Sequence, residues 1–255
     1  MEIIKSIFRI CIFLLATNNI LAADPVAQVL NDITSCKTLT EYKAFKQKYY
    51  VIRKTDHLER DFDFGYQQVV HDFDFTYSGS SYQSFQVFLL VKNDSIVFGK
   101  VNMIGDNWRK KVVEKDTLFS VNPLLLNQYL HDHNVLYNTA LSLKKLQAYI
   151  TSDYFYSFAC GDGSTTGPKE SAKVLSWIEF ENKQALNKWL RSANCELQAY
   201  AINGLLSIKK NGGSLTSEEE RIIQHLLDRN SLVVNCSGCL MGLVKPIQQL
   251  LHPLI

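Results

Sequence analysis

Two runs of β-branched and aromatic residues flank a turn signal, and this pattern constrains the fold more than any other stretch. The runs are SFQVFLLVK (84–92) and SIVFGKVNMI (95–104), and only Asn93 and Asp94 separate them. Val, Ile and Phe are enriched in strands, and Asn and Asp suit tight turns, so the pattern predicts a β-hairpin. The chain must therefore build an antiparallel sheet.

The residues on either side of this hairpin extend the predicted sheet. VVHDFDFTY (69–77) alternates apolar and polar side chains, as a strand with one buried and one wet face does, and it predicts a third antiparallel strand. RKKVVEK (109–115) is a candidate fourth strand. The earlier copy of the motif, RDFDFGY (60–66), fits a strand or one face of a helix, and both interpretations stay open.

Helical patterns surround the sheet. In TLTEYKAFKQKYYVI (38–52), Thr38 and Glu41 have the spacing of a capping box. After the sheet, Pro123 suits the first position of a helix, and the apolar spacing over 124–150 predicts two helices. Residues 24–165 are therefore expected to form an α+β domain with an antiparallel β-meander.

A stretch rich in Gly, Ser and Thr, CGDGSTTGPKES (160–171), is the natural domain boundary. Residues 166–255 are expected to form an all-α unit of helical hairpins with HEAT-like packing, without a strand. Asn194 is a predicted helix cap, and Thr216 with Glu219 forms a second capping box. The last apolar segment, LMGLVKPIQQLL (240–251), is predicted to be a helix that bends at Pro246.

The N-terminus has the layout of a secretory signal peptide over residues 1–23. Lys5 and Arg9 precede a short apolar run, and the small residues Ala22 and Ala23 precede Asp24. The apolar run is shorter than the roughly 20 residues that span a bilayer, so we expect no stable membrane span after cleavage. The mature protein is expected to be secreted or periplasmic.

The charge of the mature chain argues against nucleic acid as a partner. Removing residues 1–23 takes away Lys5, Arg9 and Glu2, which leaves 25 basic and 24 acidic side chains. A nucleic-acid-binding protein normally has a marked basic excess. The one basic cluster, Arg109 to Lys111, is typical of a solvated strand edge.

The cysteines are interpreted through the predicted export, because disulfides persist in oxidising compartments. Five remain after the signal, all candidates for structural disulfides: Cys36, Cys160, Cys195, Cys236 and Cys239. If the two helices over 195–229 run antiparallel, the short loop after them returns the CxxC at 236–239 to Cys195. A bridge between Cys195 and this pair, or within the pair, is the leading interpretation, and it would hold down the last helix.

Three other interpretations of the CxxC remain open, and the plainest is that its cysteines are simple buried thiols. A zinc site would need a fourth ligand, for which Cys160 or His225 is available. A redox-active pair would need a thiol with a lowered pKa, but the βαβ context of thioredoxin-like proteins is missing.

The remaining motifs favour ordinary structural roles. Asp61 with Asp63, and Asp72 with Asp74, have strand-like spacing that suits calcium or an acid/base pair, but a half-wet strand has the same pattern. His131 and His133 are predicted to lie at a polar helix end rather than in a metal site. GDGSTTGPK (161–169) lacks the second glycine and the Gly-Lys-Ser/Thr of a phosphate-binding loop.

The sequence shows no coherent set of catalytic residues. We therefore assign no catalytic residue, no metal ligand and no cofactor. The leading hypothesis is an exported, non-catalytic protein-interaction module. The first alternative is an exported thiol-disulfide or zinc-dependent enzyme centred on the CxxC at 236–239. The second is a calcium- or carbohydrate-binding module that uses the Asp/Phe strands.

Overall fold

The computed structural model describes residues 24–48, 52–78, 81–105, 112–160, 167–237 and 240–251. The predicted signal peptide, the Arg109–Lys111 cluster, Cys239 and the loop at 161–166 lie outside these ranges. Two helices come first, α1 (Pro25–Ser35) and α2 (Leu39–Lys48). The capping box predicted for α2 is confirmed, since the Thr38 hydroxyl accepts from the Glu41 N–H at 3.0 Å and Glu41 Oε2 accepts from the Thr38 N–H at 3.2 Å.

A five-stranded antiparallel meander follows, in the order β1-β2-β3-β4-β5. The strands are β1 (Ile52–Asp61), β2 (Tyr66–Ser78), β3 (Ser81–Lys92), β4 (Ser95–Gly105) and β5 (Val112–Phe119). The predicted hairpin joins β3 to β4, with Lys92 opposite Ser95. Asn93 and Asp94 both have positive φ, 48° and 67°, as a two-residue turn between twisted strands requires.

The ambiguous segment at 60–66 covers the end of β1, the turn and the first residue of β2. It contains a 3₁₀ turn (Asp63–Gly65), in which Phe64 adopts a left-handed backbone with φ 62°. Asp61 ends β1 in solvent, whereas Asp63 is buried. The two carboxylates therefore do not share one strand face.

Helices cover both faces of the sheet. α1 and α2 pack on one face, against a cluster that includes Phe73, Phe85 and Val101. Two further helices, α3 (Pro123–Tyr137) and α4 (Leu143–Ile150), pack on the other face around Phe88 and Phe98. The predicted α+β class is confirmed.

The rest of the chain packs around one buried helix, α7 (Cys195–Lys210), capped by Asn194 as predicted. The elements around it are α5 (Lys169–Glu179), α6 (Lys183–Leu190), α8 (Ser217–Arg229) and α9 (Ile247–Leu251). The capping box of Thr216 and Glu219 is present. HEAT-like packing is not confirmed, and the domain boundary near residue 165 stays a prediction.

The expectation that residues 166–255 contain no strand is wrong. β6 (Leu232–Ser237) and β7 (Leu240–Pro246) form an antiparallel hairpin, and α9 starts directly after Pro246. The segment at 240–251 is thus a strand followed by a short helix, not one bent helix. The strand forms because the β-branched Val233 and Val234 pair across to Lys245 and Val244.

Candidate functional site

The disulfide joins Cys160 to Cys236, with the Cα atoms 5.7 Å apart. Cys236 therefore pairs with neither Cys195 nor Cys239, contrary to the prediction. The physical reason is the strand β6, since Asn235 forms a parallel bridge with Tyr156 and so brings Cys236 beside Cys160. The bond ties β6, rather than the last helix, to the segment after α4.

Two cysteines in the described ranges, Cys36 and Cys195, are free thiols, and both are buried. Cys195 starts α7, with Arg229 Nη2 3.6 Å from its sulfur. It is fully enclosed, so it offers no surface for chemistry on an external substrate. Within the described residues, no group of three or more His, Cys, Asp or Glu side chains is arranged to hold a metal ion.

The Asp63 carboxylate is the centre of a buried polar network. It accepts from the Tyr137 hydroxyl at 2.7 Å and contacts Arg229 Nη1 at 2.7 Å and His225 Nε2 at 3.0 Å. Burial alone would raise the pKa of Asp63, but the Arg229 charge and the hydrogen bonds from His225 and Tyr137 hold this pKa well below its usual range. These partners come from α3 and α8, so the network joins the first hairpin to both sets of helices.

A second buried ion pair lies at the same junction. Arg60 donates to both oxygens of Glu196, at 2.5 and 3.2 Å, and Glu196 Oε1 also accepts from the Val234 N–H at 3.1 Å. Arg60 Nε donates to Gln68 Oε1 at 2.8 Å. Because every partner is a fixed group of the fold, this pair links β1 to α7 and β6 and presents nothing to a ligand.

His131 and His133 do not lie at a helix end, because α3 continues to Tyr137. His131 is exposed and His133 is fully buried, with its ring 4.4 Å from the Tyr137 ring. Burial lowers the pKa of His133 to about 4. The two imidazoles point to different environments, as two residues spaced by two on a helix must.

Asp72 and Asp74 lie on the sheet face that α3 and α4 cover only in part. Asp74 Oδ1 accepts from the Ser84 hydroxyl at 2.6 Å, and Asp72 is paired in register with Gln86. The side chains in this row bond to one another across the strands. The row is polar, as the alternation of Asp and Phe predicted, but it is not fully wet, since Asp72 and Asp74 are only partly exposed and Gln86 is buried.

An accessible feature is the free edge of the sheet at β5. In the part of the chain that the structure describes, β5 pairs with β4 alone. Val112, Val113 and Leu118 are 43%, 49% and 55% exposed, and Val121 and Leu124, just after the strand, are 46% and 77% exposed. We call these five side chains and the β5 backbone the β5 edge.

Apolar side chains project from both faces of the β5 edge. A β-bulge between Val113 and Lys115 interrupts the alternation along β5. Val113 pairs with Ile104 and Leu118 pairs with Lys100, so both lie on the α3/α4 side. Val112 pairs with Gly105 and lies on the α1/α2 side. An exposed edge strand with apolar side chains is a template for a further strand. From sequence, β5 was only a candidate strand, and nothing local in it signals an edge position.

Comparisons with known proteins identify no relative from which a function could be inferred. No family model matches the chain, and no curated protein or solved structure shows significant similarity to it. A disulfide bond fits an extracellular or otherwise oxidising compartment. Across the described ranges, every helix is too short or too polar to cross a membrane.

Proposed function

We propose that this chain is an exported protein-interaction module that binds an extended segment of another protein at the β5 edge. The observation that carries the proposal is the exposure of apolar side chains on both faces of an edge strand. Strand addition would pair the outward backbone groups of β5 and bury Val112, Val113 and Leu118 together.

The charges on β5 define the partner segment further. Glu114, Lys115 and Asp116 occupy the middle of the strand, and Asp116 pairs with Lys100 at 3.0 Å. Glu114 lies at the bulge between Val113 and Lys115, and its side chain packs against Gly105 of β4. A partner strand with apolar side chains at alternate positions and a basic side chain opposite Glu114 complements this pattern.

A second copy of the chain is a poor occupant of the same edge. In an antiparallel pair of identical strands, paired residues share a face, so the central residue meets its own copy. A pairing centred on Glu114, Lys115 or Asp116 therefore puts like charges opposite each other, which is destabilising. The charges therefore disfavour these central pairings of two copies, which favours a different polypeptide as the partner.

The buried polar groups support a non-catalytic role. Asp63, Arg60 and Glu196 are enclosed and bonded to fixed partners, and Cys236 is engaged with Cys160. A catalytic centre needs such groups in an accessible cleft. Here they fasten the sheet to the helices and hold β5 in a rigid framework.

The test uses a displayed library of random nine-residue peptides, selected on the purified protein with its disulfide intact. Selected peptides should slow hydrogen exchange of the backbone amides of β5. Val113→Lys and Leu118→Lys should weaken their binding by at least about tenfold, as expected for loss of roughly 1.4 kcal/mol of contact. Val135→Lys is the matched control, because Val135 is 70% exposed on α3 and away from β5.

Selected peptides that bind equally to all three variants, or that leave exchange in β5 unchanged, would contradict the proposal. Melting temperatures of the variants should stay close to that of the parent protein, because all three side chains are exposed.

A further inference from the structure

A cleft opens between α1 and α2, on the opposite side of the sheet from α3 and α4. We propose that it binds a protonated alkylamine or guanidinium group, with the charge at the rim and the alkyl stem on the apolar wall. The cleft does not include the β5 edge, so this inference stands independently of the proposed function.

The cleft is large enough for a small ligand or for two side chains. Its volume is about 480 Å³, which lies in the usual range of ligand sites. The residues that line it are Asp32, Ser35, Cys36, Lys37, Glu41, Ala44 and Phe45.

The walls of the cleft are held in place by the sheet. The Lys37 carbonyl accepts from the Ile96 N–H at 2.8 Å, and the Cys36 carbonyl accepts from the Ser120 hydroxyl at 2.8 Å. Thr40 donates to the Asp94 carboxylate from its backbone and its hydroxyl, both at 3.0 Å. A ligand would therefore enter a preformed site and would not have to order it.

The electrostatics of the cleft favour a cation. The pKa of the Cys36 thiol is raised first by burial and then by the charges of Glu41 and Asp32, while a backbone hydrogen bond and the Lys37 charge lower it by less. The thiol thus senses a negative potential within the cleft. Glu41 is fixed at the rim, because its Oε2 accepts from the Lys37 N–H at 2.6 Å and from the Thr38 N–H.

The apolar part of the lining suits the stem of such a ligand. Phe45 is buried, and Ala44 lies beside it in the same helix. Alkyl stems of ammonium and guanidinium groups pack on apolar surface while the charged end stays near water or carboxylates.

The experiment titrates the protein with n-butylamine and with n-butanol, its neutral counterpart, and follows backbone amide shifts by NMR. The amine should shift the amides of α1 and α2, and the alcohol should bind more weakly. Glu41→Gln should weaken amine binding about two- to fivefold, the range expected for one exposed ion pair. Glutamine can still form the capping box, so the helix should remain intact.

Glu220→Gln is the control, since it removes an exposed carboxylate from α8, far along the chain. Spermidine and an acetylated, amidated Gly-Lys-Gly peptide then distinguish a free polyamine from a lysine side chain of a partner protein. Tighter binding of either one supports the site and identifies the source of the cation. Equal binding of amine and alcohol, or equal loss in Glu41→Gln and Glu220→Gln, would overturn the inference.

Discussion

Arg229 Nη1 lies 2.7 Å from Asp63 Oδ2, so the end of α8 is ion-paired with the first turn of the sheet. The ion pair of Arg60 and Glu196 makes a second link between the sheet and the helical unit. Arg60, Asp63 and Glu196 are buried, the Arg229 side chain is 9% exposed, and both pairs are hydrogen-bonded to further groups. These two ion pairs therefore link the sheet, including β5, to the helices, and substitutions in them should destabilise the fold.

Removing one partner of the buried pair should be costly. We expect Glu196→Gln to lower the free energy of unfolding by about 3–5 kcal/mol, because it leaves Arg60 buried without a counter-charge. Urea denaturation measures this loss. Glu220→Gln, which breaks an exposed pair with Lys209, should cost less than about 1 kcal/mol. Equal losses in the two variants would contradict this expectation, because they would show that buried Arg60 does not depend on the charge of Glu196.

Asp63 should make the fold sensitive to strong acid. The pKa of Asp63 is lower in the folded state than in the unfolded chain, where it is about 4. The ionised carboxylate therefore stabilises the fold fully above pH 4, and this stabilisation is lost as the pH falls further. The unfolding free energy of the parent should therefore drop between pH 4 and pH 2. Asp63→Asn should be less stable at pH 7 and flatter over this range. Asp228→Asn, which changes an exposed carboxylate, should keep the parental slope.

His133 should add a second, milder pH dependence. Its folded pKa of about 4 lies below the ordinary value of 6.5, so the unfolded chain takes up the proton first as pH falls. Stability is fully present above pH 6.5 and should decrease by roughly 3 kcal/mol toward pH 4. His133→Phe should flatten this slope, and His131→Phe, at an exposed position, should not. A parental slope in His133→Phe would assign the dependence to another group.

The disulfide should contribute a large part of the free energy of unfolding. It closes a loop over a sequence separation of 76, and bridges of this kind stabilise small domains by roughly 2–5 kcal/mol. Cys160→Ser, Cys236→Ser and the double variant should lose similar amounts, because each removes the same bond. Peptide mapping without reduction should recover the two cysteines in one linked peptide. Unequal losses would indicate that one of them pairs elsewhere.

Local patterns predicted much of the fold. The β3–β4 hairpin follows from β-branched runs around Asn93 and Asp94, and the capping box of Thr216 and Glu219 follows from spacing alone. Both depend on interactions within a few residues, which a sequence shows directly. The short strands β6 and β7 were missed, since a brief apolar run does not distinguish strand from helix.

The long-range contacts could not be read from the sequence. Cys236 pairs with Cys160 because β6 meets Tyr156, and Arg60 meets Glu196 across a separation of 136 residues. Nothing near these residues specifies their partners. The edge position of β5 likewise depends on the strand order of the whole sheet, so the candidate site emerged only from the assembled fold.

Hydrogen exchange at β5 tests the central claim most directly. The protein is measured alone and with an extended peptide selected from the library, and the backbone amides of Val112–Phe119 are followed. Strand addition predicts slower exchange at alternate amides of β5, with loss of this protection in Val113→Lys. Unchanged exchange in β5, with the peptide bound, would contradict the assignment of this edge as a protein-binding site.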